Sequence, residues 1–230
     1  MVKLPTKMEP TQLLTSRLSA QRRLHAVQRR LERDPHLKVH YHNFMKEYEE
    51  LGHMEPVTSQ EGKSTCYFLP HHPVFKETSS TTNTRVMFDG GAKISNGLSL
   101  NDITQVGATV QQDLYLIVLQ FRMHQVCFTA DIPKMYRQVV HRQDRDLQRI
   151  LWRCSSDEHI QEYRLTSVTY GISSVPFLAT RCLKKIADDK KKYPRAPQVL
   201  SNDFYVDDLL SGTSTIEEKI NVQKEISSQF

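Results

Sequence analysis

The sequence predicts an α+β fold in which antiparallel hairpins pack on amphipathic helices. Three observations carry that prediction. The stretch Asp203-Phe204-Tyr205-Val206-Asp207-Asp208-Leu209-Leu210-Ser211-Gly212 leads apolar residues into two adjacent carboxylates and out again to a glycine, which is the pattern of strand, tight turn and strand. Residues 125–131 form a second apolar run that ends on a carboxylate, Asp131. Around both, apolar side chains recur at helical spacing.

Neighbouring side chains on a regular strand point to opposite faces, so Asp207 and Asp208 serve one site only if the backbone turns there. Two carboxylates at an apolar hairpin tip repel each other, and burying them is costly without a cation. A divalent metal removes that cost, and magnesium prefers hard oxygen ligands. The plainer alternative is a solvated polar turn; the flanking Phe204-Tyr205-Val206 and the third carboxylate, Asp131, weigh against it. Strands ending at Asp131 and at Asp207, side by side in an antiparallel sheet, would bring the acids together.

The totals describe a soluble globular chain: 230 residues, 38% hydrophobic and 25% charged, enough for one large domain or two small ones. No apolar run approaches the roughly 18 residues of a membrane span, and the amino terminus lacks the apolar core of a secretory signal. Cys66, Cys127, Cys154 and Cys182 lie far apart and form no CxxC pair, which reads as reduced thiols in an intracellular protein. Net charge is +5, and it is concentrated: residues 1–40 hold nine Lys or Arg against three acids. Such a basic arm suits a phosphate backbone; a solvated amphipathic helix is the alternative.

In chain order, a helix is expected over 11–33 (Leu13, Leu14, Leu18, Leu24, Val27, Leu31), ended by Asp34-Pro35. A second covers about 37–51, with Val39, Phe44, Met45, Tyr48 and Leu51 inward and Gly52 as its stop. His36 and His40 have a zinc-compatible spacing, but no Cys or acidic partner sits at a fitting distance. Residues 53–70 read as loop with a short strand at 66–69. A hairpin follows, with Lys76 on one arm and Arg85 on the other, joined by the polar 77–84. Its two cations could clamp a polyphosphate or simply be exposed charges. Residues 90–107 read as loop turning at Ser95-Asn96-Gly97. A helix is expected over about 108–123, with Val110, Leu114, Ile117, Val118 and Phe121 on one stripe. After the strand at 125–131 comes a turn into a short helix at Met135-Tyr136. Residues 149–153 and 162–168 form a hairpin pair, and Thr169-Tyr170-Gly171 breaks its second strand. Helices are then expected over about 176–192, opened by Pro176, and about 214–229, capped by Ser214, with the acidic hairpin over 199–212 between them.

Taken in order, these motifs resemble the fingers and palm of a reverse transcriptase, most closely the BEL/Pao class of long-terminal-repeat retrotransposons. The stretches that carry the resemblance are His72-Pro73-Val74, Arg85-Val86-Met87-Phe88-Asp89, Ala130-Asp131-Ile132-Pro133-Lys134-Met135-Tyr136, Ile150-Leu151-Trp152-Arg153, Val168-Thr169-Tyr170-Gly171 and Phe204-Tyr205-Val206-Asp207-Asp208. The resemblance covers nearly the whole chain, including the helical lead-in. The resemblance implies a right hand with a helical basic lead-in (1–70), fingers in two parts (71–123, 141–170) and palm in two parts (124–140, 171–230), with the thumb missing. It implies RNA-directed DNA polymerase activity: a primer 3′-hydroxyl attacks the α-phosphate of a deoxynucleoside triphosphate, assisted by two Mg2+ ions, for which Mn2+ can substitute. By the same resemblance, Asp131 and Asp207 bridge the metals, Asp208 assists near the primer end, and the Ile132 carbonyl adds a ligand. Lys76 and Arg85 grip the triphosphate. Tyr136 stands at the steric gate that excludes a ribose 2′-hydroxyl, or is an ordinary core tyrosine. Tyr170 stacks or packs near nucleotide and template, and Gly171 allows close backbone approach.

The implied partners are an RNA or DNA template with its primer, deoxynucleoside triphosphates and the remainder of a retroelement polyprotein, with no membrane. The implied location is cytoplasmic or within a virus-like particle. The chain departs from retroviral relatives in having Tyr170 before Gly171, in placing Gly90-Gly91-Ala92-Lys93 after Asp89 with Leu100-Asn101 arriving later, and in stopping one helix past Asp208. The last departure leaves open a non-catalytic retroelement remnant that at most binds nucleic acid. A metal-dependent nuclease using the same acids is a minor third reading.

Overall fold

A computed structural model of the chain describes residues 2–57, 65–75, 84–139, 144–189 and 194–228. It divides into two compact units, Met1–Val106 with Tyr136–Val175, and Gly107–Met135 with Pro176–Phe230. No helix among the described residues is long and apolar enough to cross a membrane.

The first unit begins with a 3-10 turn at Pro10–Gln12 and the helix α1 (Arg17–Arg33). The helix predicted from residue 11 therefore starts six residues late. Ser16, directly before it, is tied elsewhere: its hydroxyl donates to the Phe68 carbonyl (3.1 Å) and accepts from the Phe68 N–H (2.6 Å). Ala20, Leu24 and Leu31 face inward, whereas Leu14 and Leu18 are exposed. Helix α2 (Pro35–Glu50) starts earlier than expected because Asp34 caps it, accepting from the Leu37 N–H at 2.9 Å, with Pro35 at the first helical position. Its buried row is Leu37, Tyr41, Met45 and Tyr48; the predicted inward Val39 and Leu51 are exposed. Gly52 ends it at φ +69°, with the Schellman bonds Gly52 N–H to Glu49 O and His53 N–H to Tyr48 O.

The predicted 53–70 loop contains a strand, β1 (Met54–Pro56), and residues 66–69 make only an isolated bridge from Phe68 to Arg149. Strands β2 (His71–Phe75) and β3 (Thr84–Phe88) form the expected hairpin, with Val74 opposite Arg85. The predicted 90–107 loop holds a four-residue helix, α3 (Leu100–Ile103), closed by a Ser99/Asp102 capping box.

Helix α4 (Leu114–Met123) and strand β4 (Val126–Asp131) belong to the second unit. Helix α4 starts at Leu114 rather than 108, because Asp113 accepts from the Tyr115 N–H (2.8 Å). Of its predicted inward stripe only Ile117 is buried. The chain returns through α5 (Met135–Gln138) to the first unit, where β5 (Arg149–Trp152) and β6 (Gln161–Leu165) pair with β1 in the order β1-β6-β5. The core here is aromatic: Tyr41, His71, Trp152, Tyr48 and Phe88 pack with ring centroids 5.2–6.1 Å apart. His71 is fully buried, its Nε2–H donating to the Leu151 carbonyl (2.9 Å) and its Nδ1 accepting from the Tyr41 hydroxyl.

Helix α6 (Val175–Asp189) leads into the second unit, whose remaining elements are α7 (Ala196–Asn202), β7 (Phe204–Tyr205), β8 (Asp208–Thr213) and α8 (Ile216–Ser227). Residues 199–202, predicted as the first arm of the hairpin, are helical, and the arm itself is only two residues long. Helix α8 is capped by Thr215, not Ser214: the Thr215 hydroxyl accepts from the Glu218 N–H (3.2 Å), while Glu218 reaches back to the Ser214 N–H (3.1 Å).

Candidate active site

The second unit holds a three-stranded antiparallel sheet in the order β4-β8-β7. Its register runs from Val126 opposite Thr213 to Asp131 opposite Asp208. Along β8 the side chains alternate: Leu209, Ser211 and Thr213 are buried, while Asp208 is exposed. Asp131 and Asp208 are thus cross-strand partners on the solvent face. Such partners hold their Cβ atoms about 5 Å apart, and like charges there are destabilising. The sequence reading paired the strand that ends at Asp131 with the one that ends at Asp207; the structure pairs it with the outgoing arm. The reason is the turn itself. Val206 and Asp207 form the two-residue connection between Tyr205 and Asp208, so Asp207 belongs to neither arm. Its carbonyl still binds the end of β4, accepting from the Ile132 N–H at 3.0 Å.

The turn has an unusual residue. Val206 sits at φ +57°, the left-handed region that a β-branched side chain disfavours. It is clasped by Gln111, whose Oε1 accepts from the Val206 N–H (2.8 Å) and whose Nε2 lies 3.5 Å from the Val206 carbonyl. The base of the hairpin is tied by Asp203: its carbonyl accepts from the Leu210 N–H (2.9 Å) and its carboxylate from the Ser211 hydroxyl (2.5 Å). Burial pushes the Asp203 carboxyl up, against the pull of Ser211 and His124. Sequence reasoning missed Gln111 and the role of Asp203. Gln111 falls inside the span predicted as a helix and Asp203 inside the predicted hairpin arm, so neither reads as a residue that ties the turn. A cavity of about 460 Å³ lies at the far end of β8, lined by Asp203, Ser211 and His124, not over the three acids.

Asp131 is held above the ordinary carboxylate range, first by partial desolvation and then by the charges of Asp207 and Asp208. The three acids therefore sense one another. Among the described residues, however, no three His, Cys, Asp or Glu side chains are gathered as closely as a bound ion requires. The backbone register sets Asp131 opposite Asp208, with Asp207 in the adjoining turn. Hard oxygen donors of like charge with access to solvent are the chemistry that suits a divalent cation. The Ile132 carbonyl sits at the end of the same strand. His36 and His40 approach to 3.2 Å between their Nε2 atoms, with no metal-holding group around them among the described residues.

The remaining predicted residues lie in the first unit. Arg85 is exposed on β3, and Lys76 falls outside the described residues. Tyr136 and Tyr170 come together, their ring centroids 4.8 Å apart. Beside Tyr136, the Arg137 guanidinium lies over the rings of Phe44 (5.0 Å) and Tyr48 (4.9 Å) and 3.5 Å from Glu47, fixing α5. Gly171 is left-handed (φ +97°), and a Cβ there would stand 1.9 Å from the Phe88 carbonyl oxygen, so the close approach it permits is to β3. Asn101 clasps this turn, donating to the Gly171 carbonyl (3.0 Å) and accepting from the Ser173 N–H (2.9 Å). The inserted loop after Asp89 returns Asn101 to the end of β3, where its N–H donates to the Gly90 carbonyl (2.9 Å).

No protein-family model matches the sequence. No curated protein matches it either. Solved structures do. A crystal structure of the prototype foamy virus protease-reverse transcriptase superposes with a TM-score of 0.62 at 16% identity, covering 85% of this chain and 22% of that one. A foamy viral protease-reverse transcriptase in complex with double-stranded DNA gives 0.56 at 16% identity, covering 79% of this chain and 27% of that one. The chain thus spans about a quarter of the length of either viral protein. At this identity the likeness speaks for the fold: the chain is α+β and reverse-transcriptase-like.

Proposed function

We propose that this chain is the fingers-and-palm portion of a retroelement RNA-directed DNA polymerase, of BEL/Pao type, that transfers a deoxynucleotide from its triphosphate to a primer 3′-hydroxyl. The observation that carries the reading is the placement of Asp131 opposite Asp208 with Asp207 in the turn between β7 and β8. In the reaction the primer hydroxyl gives up its proton to solvent, its oxygen forms a bond to the α-phosphorus, the bond from that phosphorus to the bridging oxygen breaks, and pyrophosphate leaves. Asp131, Asp207 and Asp208, with the Ile132 carbonyl, would hold two Mg2+ (or Mn2+) ions. When bound, such ions make the hydroxyl a better nucleophile and neutralise the leaving oxygen. The protein's own part is positioning. The Gln111 clasp and the Ile132–Asp207 hydrogen bond fix the acidic turn. Arg85 and Lys76 would grip the triphosphate, Tyr136 would exclude a ribose 2′-hydroxyl, and Tyr170 with Gly171 would shape the nucleotide and template side.

The partners of this reading are a primed RNA or DNA template, deoxynucleoside triphosphates and the rest of a polyprotein, in the cytoplasm or a virus-like particle. The test is primer extension by the chain within its longer reading frame. Asp207→Asn should abolish incorporation, and intact extension by that variant would sink the mechanism. A non-catalytic remnant is the second reading, favoured by the ungathered carboxylates. Metal titration separates the two: the polymerase reading expects Mg2+ or Mn2+ binding that Asp131→Asn weakens, the remnant reading expects none.

A further inference from the structure

We propose that the outer face of α1, with the groove beside it, binds single-stranded nucleic acid. The inference deepens the polymerase reading by naming a surface for an unpaired template strand, and its binding test needs no catalysis. Helix α1 carries six arginines and one acid, Glu32. With 3.6 residues per turn, the buried Ala20, Leu24 and Leu31 define its inner face, and Arg22, Arg29 and Arg33 form a ridge at the opposite pole. All three are exposed, and among the described residues none has a carboxylate within 4 Å, unlike Arg17 with Glu162 (2.9 Å) and Arg23 with Asp89 (3.8 Å). A helix that packs through one side and presents uncompensated guanidinium groups on the other is built to meet a polyanion.

The groove supplies what a bare ridge lacks. Arg17, Gln21 and His25, one row round from the ridge, line an opening of about 390 Å³ whose far wall is Arg153, Glu158, His159 and Ile160 from the β5–β6 connection. Arg153 is held in place by neutral partners, donating to Gln28 Oε1 (2.9 and 3.3 Å) and to the Glu158 carbonyl (3.0 Å). Among the described residues no carboxylate forms an ion pair with it. The Glu158 carboxylate is engaged with the Cys154 N–H at 3.2 Å. The imidazoles of His25 and His159 and the side chain of Ile160 offer flat or apolar surface among these cations. That combination suits phosphates on guanidinium groups with bases stacked between them. Paired bases are hidden inside a duplex, so the groove favours an unpaired strand.

The test is fluorescence anisotropy of a labelled oligouridylate titrated with the chain in EDTA. The combined Arg22→Gln, Arg29→Gln and Arg33→Gln substitutions should weaken binding about tenfold or more and lower the slope of log K against log salt by about 2, as loss of three phosphate contacts requires. Arg153→Gln alone should weaken it in the same direction. A control that removes equal charge from the second unit (Arg181→Gln, Lys184→Gln, Lys224→Gln) should bind nearly as the parent does, and circular dichroism melts confirm folding. Unchanged affinity in the α1 variant and in Arg153→Gln overturns the proposal, as does equal loss in the control. Blunt duplex DNA that competes as well as unlabelled oligouridylate overturns the single-strand assignment. Oligonucleotide binding that persists while the chain within its longer reading frame fails in primer extension removes the polymerase reading and leaves this one standing.

Discussion

Two turns in this chain solve one backbone problem in different ways. Each places a left-handed residue beside a predicted site residue, and each is clasped by a carboxamide: Gly171 by Asn101 and Val206 by Gln111. At position 171 packing dictates the residue, because no Cβ fits 1.9 Å from the Phe88 carbonyl. At position 206 the side chain fits, but the backbone angle is wrong for it. Left-handed geometry at a non-glycine residue costs about 1–3 kcal/mol and persists only where its surroundings impose it. Here Gln111 and the short connection to β8 impose it, directly before Asp207 and Asp208. One turn is therefore a packing necessity, the other a site of stored strain next to the candidate catalytic acids.

The largest expected effect breaks the first of these. Gly171→Ala meets both a backbone oxygen and a disfavoured φ, neither of which can give way cheaply, and should destabilise the chain by at least about 3 kcal/mol. Chemical denaturation measures it. A loss below about 1 kcal/mol would mean that β3 and the 171 turn are not packed as described.

Acid sharpens the contrast between the two units. Burial lowers His71 from 6.5 to about 4 in the folded chain. The unfolded chain therefore binds more protons between those values, so the stabilisation is fully present above about 6.5 and is lost as pH falls towards 4. A shift of this size amounts to about 3 kcal/mol. Asp131 works in the opposite sense. Its folded pKa is raised, so stability falls as pH rises through and above the carboxylate range. Melts from pH 7 to pH 4 should show a marked loss of stability that His71→Phe largely removes, whereas Asp131→Asn should stabilise at neutral pH by a smaller amount. A His71→Phe variant as acid-sensitive as the parent would place the sensitivity elsewhere.

The third expectation tests the clasp. Gln111→Ala frees the Val206 N–H while leaving every acid in place. Primer extension should fall by about 10- to 100-fold, the scale on which small displacements cost a positioned site, with about 1 kcal/mol lost in stability. Full activity would show that the hairpin holds itself.

These positions also show what the sequence makes legible and what it does not. Apolar runs and turn residues reveal β4, both ordinary hairpins and most helices, because burial and turn chemistry act locally. Helix starts are less legible: α2 and α4 begin where Asp34 and Asp113 cap them, and an apolar run alone extends α4 to residues that are not helical. Register is less legible still. Two carboxylate-ending strands suggest that Asp131 meets Asp207, but the turn consumes Val206 and Asp207 and leaves Asp208 opposite Asp131. Asn101 lies in a predicted loop and Gln111 on the polar side of a predicted helix, so nothing local announces that they reach residues 70 and 95 positions away.

The smallest expected effect separates strain from necessity. Glycine carries no Cβ penalty at φ +57°, so Val206→Gly should relieve the turn. Against this stands the larger conformational entropy that glycine loses on folding, about 0.5–1 kcal/mol. The left-handed penalty is the larger of the two for a β-branched residue, so the net expectation is a gain of about 1 kcal/mol in stability. Activity should move the other way: a slacker turn holds Asp207 and Asp208 less firmly, and extension should fall by a few fold, less than in Gln111→Ala because the clasp remains. Unfolding and extension assays on the same preparations check both signs. A variant that loses stability would show that the valine side chain contributes packing greater than the strain it carries, and the contrast between the two turns would then be one of packing at both.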